Sequence, residues 1–221
     1  MTVNIFKLGG VFNMSKKKVT NNPTKKDLRI MHYMSKVGGI SHHALLTRFG
    51  YHQKTIDNRF SKLSYIQKNL EEETLEDGRV VKRYIYSLNK QGKDLMLKHN
   101  LNHHCCSYNG YIHTLKAEQK LFDMVGRDEM FDKKKSLEEA PVGVVALENI
   151  EGEAEQKFKH EAVIELLRDE GKEISVVDFI YKKDGEVYAV EVETENYRKG
   201  RREAHANYVK LVLETTNYET C

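Results

Sequence analysis

Apolar positions in the first hundred residues recur at helical spacing and then change to strand-like alternation. Leu28, Met31, Met34 and Val37 form one helical stripe. Thr24, with Asp27 three residues on, reads as a helix N-cap, and the glycine pair at 38–39 ends the helix. Ser41 caps a second, short helix carrying Ala44, Leu45 and Phe49 and closed by Gly50. A third helix is predicted over 52–65, with Ile56, Phe60 and Leu63 turned inward. After it, "LEEETLEDGRVVKRYIYSL" sets Asp77-Gly78 between two extended runs, a hairpin signal strengthened by Val81, Tyr84, Tyr86 and Leu88.

Helix, helix, helix and hairpin, followed by a strand-to-helix exit through 86–99, is the order of a winged helix-turn-helix. At 100° per residue from the inward stripe of the third helix, Lys54, Asp57, Asn58, Ser61 and Lys62 point away from the core. Lys and Asn can donate to guanine and adenine edges, and Ser reaches bases or phosphate. On the wing, Arg79, Lys82 and Arg83 are placed for the DNA backbone or minor groove, while Glu71, Glu72 and Glu73 oppose that role unless they face away. Charge supports a DNA partner: residues 1–100 carry 19 Lys+Arg against 8 Asp+Glu, whereas 101–221 carry 17 against 25.

The acidic half opens with an amphipathic helix predicted over 111–125, carrying Ile112, Leu115, Leu121, Phe122 and Val125, with Glu118 on it. A charged loop follows, then a strand over 142–150 and a segment, "KHEAVIELL", that suits strand or helix equally. The most informative stretch is "DFIYKKDGEVYAVEVETEN" at 178–196. A two-residue turn at Asp184-Gly185 pairs Phe179 with Val190 and Tyr181 with Tyr188 on an apolar face that includes Val177 and Val192. The other face then sets Asp178 opposite Glu191, Ile180 opposite Ala189 and Lys182 opposite Val187, with Glu193 across from Val176. Like charges directly opposed are destabilising, so a cation, a basic side chain or a proton must offset them. A plain solvated face matched to Lys182, Lys199, Arg201 or Arg202 is the competing account.

Acidic ligands at this spacing suit Mg²⁺, and the pattern "VVD…AVEVE" resembles the PD-(D/E)xK restriction-endonuclease-like superfamily. The resemblance implies a metal site at Asp178 and Glu191, with Glu118 as the carboxylate of the first helix and a second helix over 197–208. It departs from the superfamily where the catalytic lysine should stand: Glu193 occupies that position. An active enzyme of this type would use Asp178, Glu191 and Glu193 with a displaced Lys199. A narrower likeness, joining the winged helix, an "HTL" helix at 113–115 and the acidic hairpin, is to the replication-relaxation family of plasmids, phages and conjugative elements. That likeness implies a DNA-binding accessory factor, working beside a relaxase or replication initiator, whose nuclease-like domain lacks the catalytic lysine.

The expected fold class is therefore α/β in two domains. The boundaries are a flexible basic leader over 1–23, a winged helix over 24–100, a linker over 101–111 and a nuclease-like domain over 112–221, with Met14 an alternative start to Met1. No run nears the roughly 18 apolar residues of a membrane span. Three cysteines, Cys105 and Cys106 adjacent, suit reduced thiols and a cytoplasmic setting. The expected partner is double-stranded DNA, bound without a cofactor, with Mg²⁺ reserved for the acidic hairpin. The alternatives are a Mg²⁺-dependent endonuclease and a repressor made a homodimer by its C-terminal half.

Overall fold

The computed structural model describes residues 22–74, 77–125, 147, 149–183, 185–193 and 199–214. Among them the chain is mixed α/β, with eight α-helices and two three-stranded antiparallel sheets. No helix among the described residues is long and apolar enough to cross a membrane. The leader through residue 21, the loop over 126–141 and Cys221 lie outside the described residues.

Helix α1 (Lys25–Val37) begins on the capping box read from the sequence: Thr24 Oγ1 accepts from the Asp27 amide, while Asp27 Oδ2 accepts from the Thr24 amide at 2.6 Å. Asp27 does more than cap. Its side chain is fully buried and also accepts from the Tyr51 hydroxyl at 2.7 Å and, through both oxygens, from the Arg59 guanidinium. Gly38 ends α1 in the left-handed region at φ 87°, where a Cβ would overlap the Ser107 carbonyl.

Strand β1 (Ile40–Ser41) leads into α2 (His42–Thr47), capped by Ser41, and then α3 (Gln53–Asn58). The third helix was expected to run unbroken over 52–65. It stops at Asn58 and resumes as a 3₁₀ turn at Phe60–Lys62, because Arg59 leaves helical geometry (φ −133°, ψ −66°) as it turns to Asp27. The inward stripe survives the break, with Ile56, Phe60 and Leu63 all buried.

Strands β2 (Ile66–Thr74) and β3 (Val80–Leu88) pair antiparallel from Ile66↔Leu88 to Thr74↔Val80, and the sheet order is β1-β3-β2. The ladder therefore ends at Thr74↔Val80, farther apart in the chain than a two-residue turn at 77–78 would leave it. Asp77 Oδ1 accepts from the Arg79 amide at 3.0 Å, and Gly78 takes φ 81°. Helix α4 (Lys90–Lys98) follows, capped by Asn89.

The stretch expected as a linker over 101–111 is packed along α1. The Cys106 amide donates to Ser35 O at 2.8 Å, and buried Asn102 donates to Ser35 Oγ at 2.9 Å. Helix α5 (Tyr111–Val125) then lays Ala117, Leu121 and Phe122 against the first sheet's helices, with Phe122 stacked on Tyr33 at 6.3 Å between ring centroids. One apolar cluster consequently runs from Ile30 on α1 to Val192 beyond the second hairpin.

In the second sheet, β4 (Ile150–Gly152) pairs with β5 (Phe179–Lys183), which pairs with β6 (Glu186–Val190). Of the strand expected over 142–150, residues 142–146 and 148 lie outside the described residues. The ambiguous segment is helical: α6 (Glu153–Lys159) and α7 (Glu161–Asp169) meet at His160. Helix α8 (Lys199–Tyr208) passes into a π-helical turn at Val209–Leu213. Phe179, Tyr181 and Val190 join the large cluster, whereas Ile180 packs with Ile164, Tyr208, Val212 and Leu213 in a second one. Both faces of β5 are thus covered, whereas Tyr188 and Ala189 on β6 stay exposed.

Truncating Asp27 removes one acceptor from a helix cap, a tyrosine and an arginine together. Asp27→Ala is expected to lower stability by about 3 kcal/mol, the scale for breaking a buried ion pair, measured by urea unfolding.

Candidate functional site

Two groups of residues carry chemistry, one on α3 and one at the second hairpin. On α3, Lys54, Asp57 and Asn58 are exposed and Ile56 is buried, and on the 3₁₀ turn Lys62 is exposed and Phe60 buried. Ser61 is half-buried, and its hydroxyl donates to the Asp57 carbonyl at 3.3 Å. Burial alone would raise the Asp27 carboxyl, but the hydrogen bonds from Arg59, Thr24 and Tyr51 outweigh it and hold the group below its ordinary range. The charge that fixes the end of α3 is therefore kept at neutral pH.

The β2–β3 hairpin is less basic than its arginines suggested. Arg79 Nε contacts Asp77 Oδ2 at 2.7 Å, and in the ladder Lys82 lies opposite Glu72 and Arg83 opposite Glu71. Opposite charges directly across a sheet attract, so these acids offset the cations of the hairpin. Glu71 also accepts from the Tyr108 hydroxyl at 3.2 Å. The Glu73 side chain lies outside the described residues.

At the second hairpin the register is the expected one: Lys183↔Glu186 closes a turn at 184–185, and Phe179↔Val190 is its last pair. Asp184 itself lies outside the described residues, and Gly185 takes φ 82°. One step beyond the ladder, Asp178 and Glu191 meet, and each accepts a backbone N–H from the facing strand. Val192 N donates to Asp178 Oδ2 at 2.6 Å, and Asp178 N donates to Glu191 Oε2 at 3.2 Å.

The remaining oxygens meet two histidines from different helices. His113 Nε2, on α5, is 2.9 Å from Asp178 Oδ1, and His205 Nε2, on α8, is 3.2 Å from Glu191 Oε1. His205 Nδ1 lies 3.0 Å from the Ser175 carbonyl, which can only accept, so that nitrogen carries a proton. Burial disfavours charge on both rings, yet the hydrogen bond and charge of Asp178 for His113, and of Glu191 for His205, prevail and raise both values above the ordinary histidine range.

The other residues assigned to this site lie elsewhere. Glu118 is buried against the first sheet, its Oε1 accepting from the Ser41 amide at 2.5 Å, and burial pushes its carboxyl up to about 7 despite that bond. The expectation that it joins the acidic pair is corrected, since the N-terminus of α2 holds it. Glu193 is exposed and ion-paired with Arg202, as the solvated account had it for this residue. The Lys199 side chain lies outside the described residues.

Asp178 and Glu191 are therefore met by two backbone amides and by a histidine each. Among the described residues no group of three or more His, Cys, Asp or Glu is disposed to hold a metal ion. The demand for a counter-charge was legible in the sequence; His205, in "EAHANY", carried no signal at all, and His113 entered only within a motif. No family model matches the chain, and neither a curated protein nor a solved structure does.

The raised histidine values set a pH dependence. A histidine bound more tightly to its proton in the folded state adds stability that is complete below 6.5 and is lost as pH rises through the folded-state value. Urea unfolding at a series of pH values is expected to show stability falling above 6.5, and the double variant His113→Gln, His205→Gln to flatten that fall. Glu118 acts in a lower window: its ionisation costs stability as pH rises from 4.5 to about 7, a decline that Glu118→Gln removes.

Proposed function

We propose that the protein binds duplex DNA through the outer face of α3 and serves as an accessory factor of a mobile genetic element, in replication or conjugative transfer. The observation that carries this reading is the exposed set Lys54 and Asn58 on α3 and Lys62 on the following 3₁₀ turn, opposite buried Ile56, Phe60 and Leu63. The order α1-β1-α2-α3-β2-β3, with β1-β3-β2 pairing, is that of winged-helix modules, in which the third helix enters the major groove. Lys54 and Asn58, four residues apart, lie on one line of α3 and suit base edges, while Lys62 on the 3₁₀ turn beyond it suits phosphate.

The order α5-β4-α6-α7-β5-β6-α8, with acids at the mouth of the β5–β6 hairpin, supports a nuclease-like second half, and the accessory role rests on its likeness to the replication-relaxation family. Glu193 in place of the lysine, and the two histidines on the acidic pair, favour a second half that supports DNA binding without cutting. A relaxase or replication initiator at the same origin is the matching partner.

Titration of a fluorescent duplex at several salt concentrations tests the reading. Binding should weaken steeply with salt, and Lys54→Ala and Lys62→Ala should each lower the magnitude of the log–log slope by about one. Asn58→Ala should cost about 1–3 kcal/mol on a specific site and little on random duplex. Supercoiled plasmid with Mg²⁺ should stay uncut; cutting that Asp178→Ala abolishes would establish the endonuclease instead.

A further inference from the structure

An acidic residue on a helix that approaches phosphates calls for an explanation, and the structure supplies one. Asp57 stands beside Lys54 and Asn58 on the outer face of α3, and it is tied to the interior by a line of hydrogen bonds. The hydroxyl of Tyr86, a fully buried residue of β3, lies 3.0 Å from His42 Nδ1. His42 Nε2 lies 2.9 Å from Gln53 Oε1, and Gln53 Nε2 donates to Asp57 Oδ2 at 2.8 Å. The amide oxygen of Gln53 can only accept, so His42 Nε2 carries a proton, and in the neutral ring Nδ1 accepts from Tyr86. Every donor in the line then points outward and ends on the carboxylate.

Such a line fixes where Asp57 sits. Tyr86 is set by the core, its ring edge-on to Phe60 at 5.7 Å between centroids, and His42 and Gln53 are the first residues of α2 and α3. The carboxylate is therefore referred to the sheet through both helices. A free surface aspartate near DNA would only repel phosphate; one held in place, with a lysine alongside, can accept a hydrogen bond from a base.

We infer that Asp57 reads the exocyclic amino group of a cytosine in the major groove, and that His42 is the residue that positions it. The inference rests on the DNA-binding reading above. Cytosine N4 presents a donor next to a C–H edge, whereas adenine sets the N7 acceptor beside its amino group, where a carboxylate is repelled, and thymine and guanine present acceptors. The base chosen thus follows from Asp57 being an acceptor alone.

Selection of binding sites from a randomised duplex library, followed by titration of the selected duplex, tests this with the full chain. One position should be restricted to cytosine, and replacing that cytosine by thymine should weaken binding by about tenfold or more. Asp57→Asn, which both donates and accepts, should move the preference at that position to adenine. His42→Phe keeps an aromatic ring against Tyr84 and Tyr86 but breaks the line; it should lose most of the discrimination at that position while the salt slope, set by lysines and arginines, and the melting temperature hold. Binding with no cytosine preference, or a preference unchanged in both variants, overturns the inference while leaving DNA binding in place. Absence of binding by the wild-type chain to any duplex overturns both.

Discussion

The buried carboxylate of Asp27 is the constraint on which the first half of the molecule depends. A charge with no solvent access is tolerated only when its oxygens are saturated, and here the donors come from the start of α1, from Tyr51 between α2 and α3, and from Arg59 at the end of α3. Three parts of the chain are drawn to one point. The cost falls on helix geometry: Arg59 leaves the helical region, and α3 is shorter than its apolar stripe implied. That short helix carries the face proposed to meet DNA.

A second acidic site joins distant segments within the second half in a similar way. Asp178 and Glu191 repel one another across neighbouring strands, and the repulsion is offset by two backbone amides and two imidazoles. His113 comes from α5, whose other side packs into the large apolar cluster, and His205 from α8, which leads into the smaller one. The acidic pair thereby links the two helices that cover the second sheet. A pair of acids that would suit metal binding in another setting is met here by two histidines.

The apolar core crosses the boundary that charge and composition drew between the halves. Segment 101–111, polar enough to read as a linker, is held on α1 by Asn102 and the Cys106 amide. Glu155 on α6 meets Lys36 on α1 at 2.6 Å. Gly152 leaves no room for a Cβ beneath the Lys36 carbonyl and Cys106, so β4 approaches α1 as closely as backbone allows. The basic and acidic halves share one continuous apolar cluster.

The sequence by itself determined what depends on near neighbours. The cap at Thr24, the stop at Gly38 and the inward stripe of Ile56, Phe60 and Leu63 follow from spacing of a few residues, and so does the register of the second hairpin, since a two-residue turn admits only one pairing. It also showed that Asp178 and Glu191 needed a counter-charge. Only the tertiary structure decided which groups supply it, that Glu118 turns to Ser41, and that Arg59 breaks α3. Each of these is a contact between residues far apart in the chain, where periodicity carries no information and packing chooses the partner.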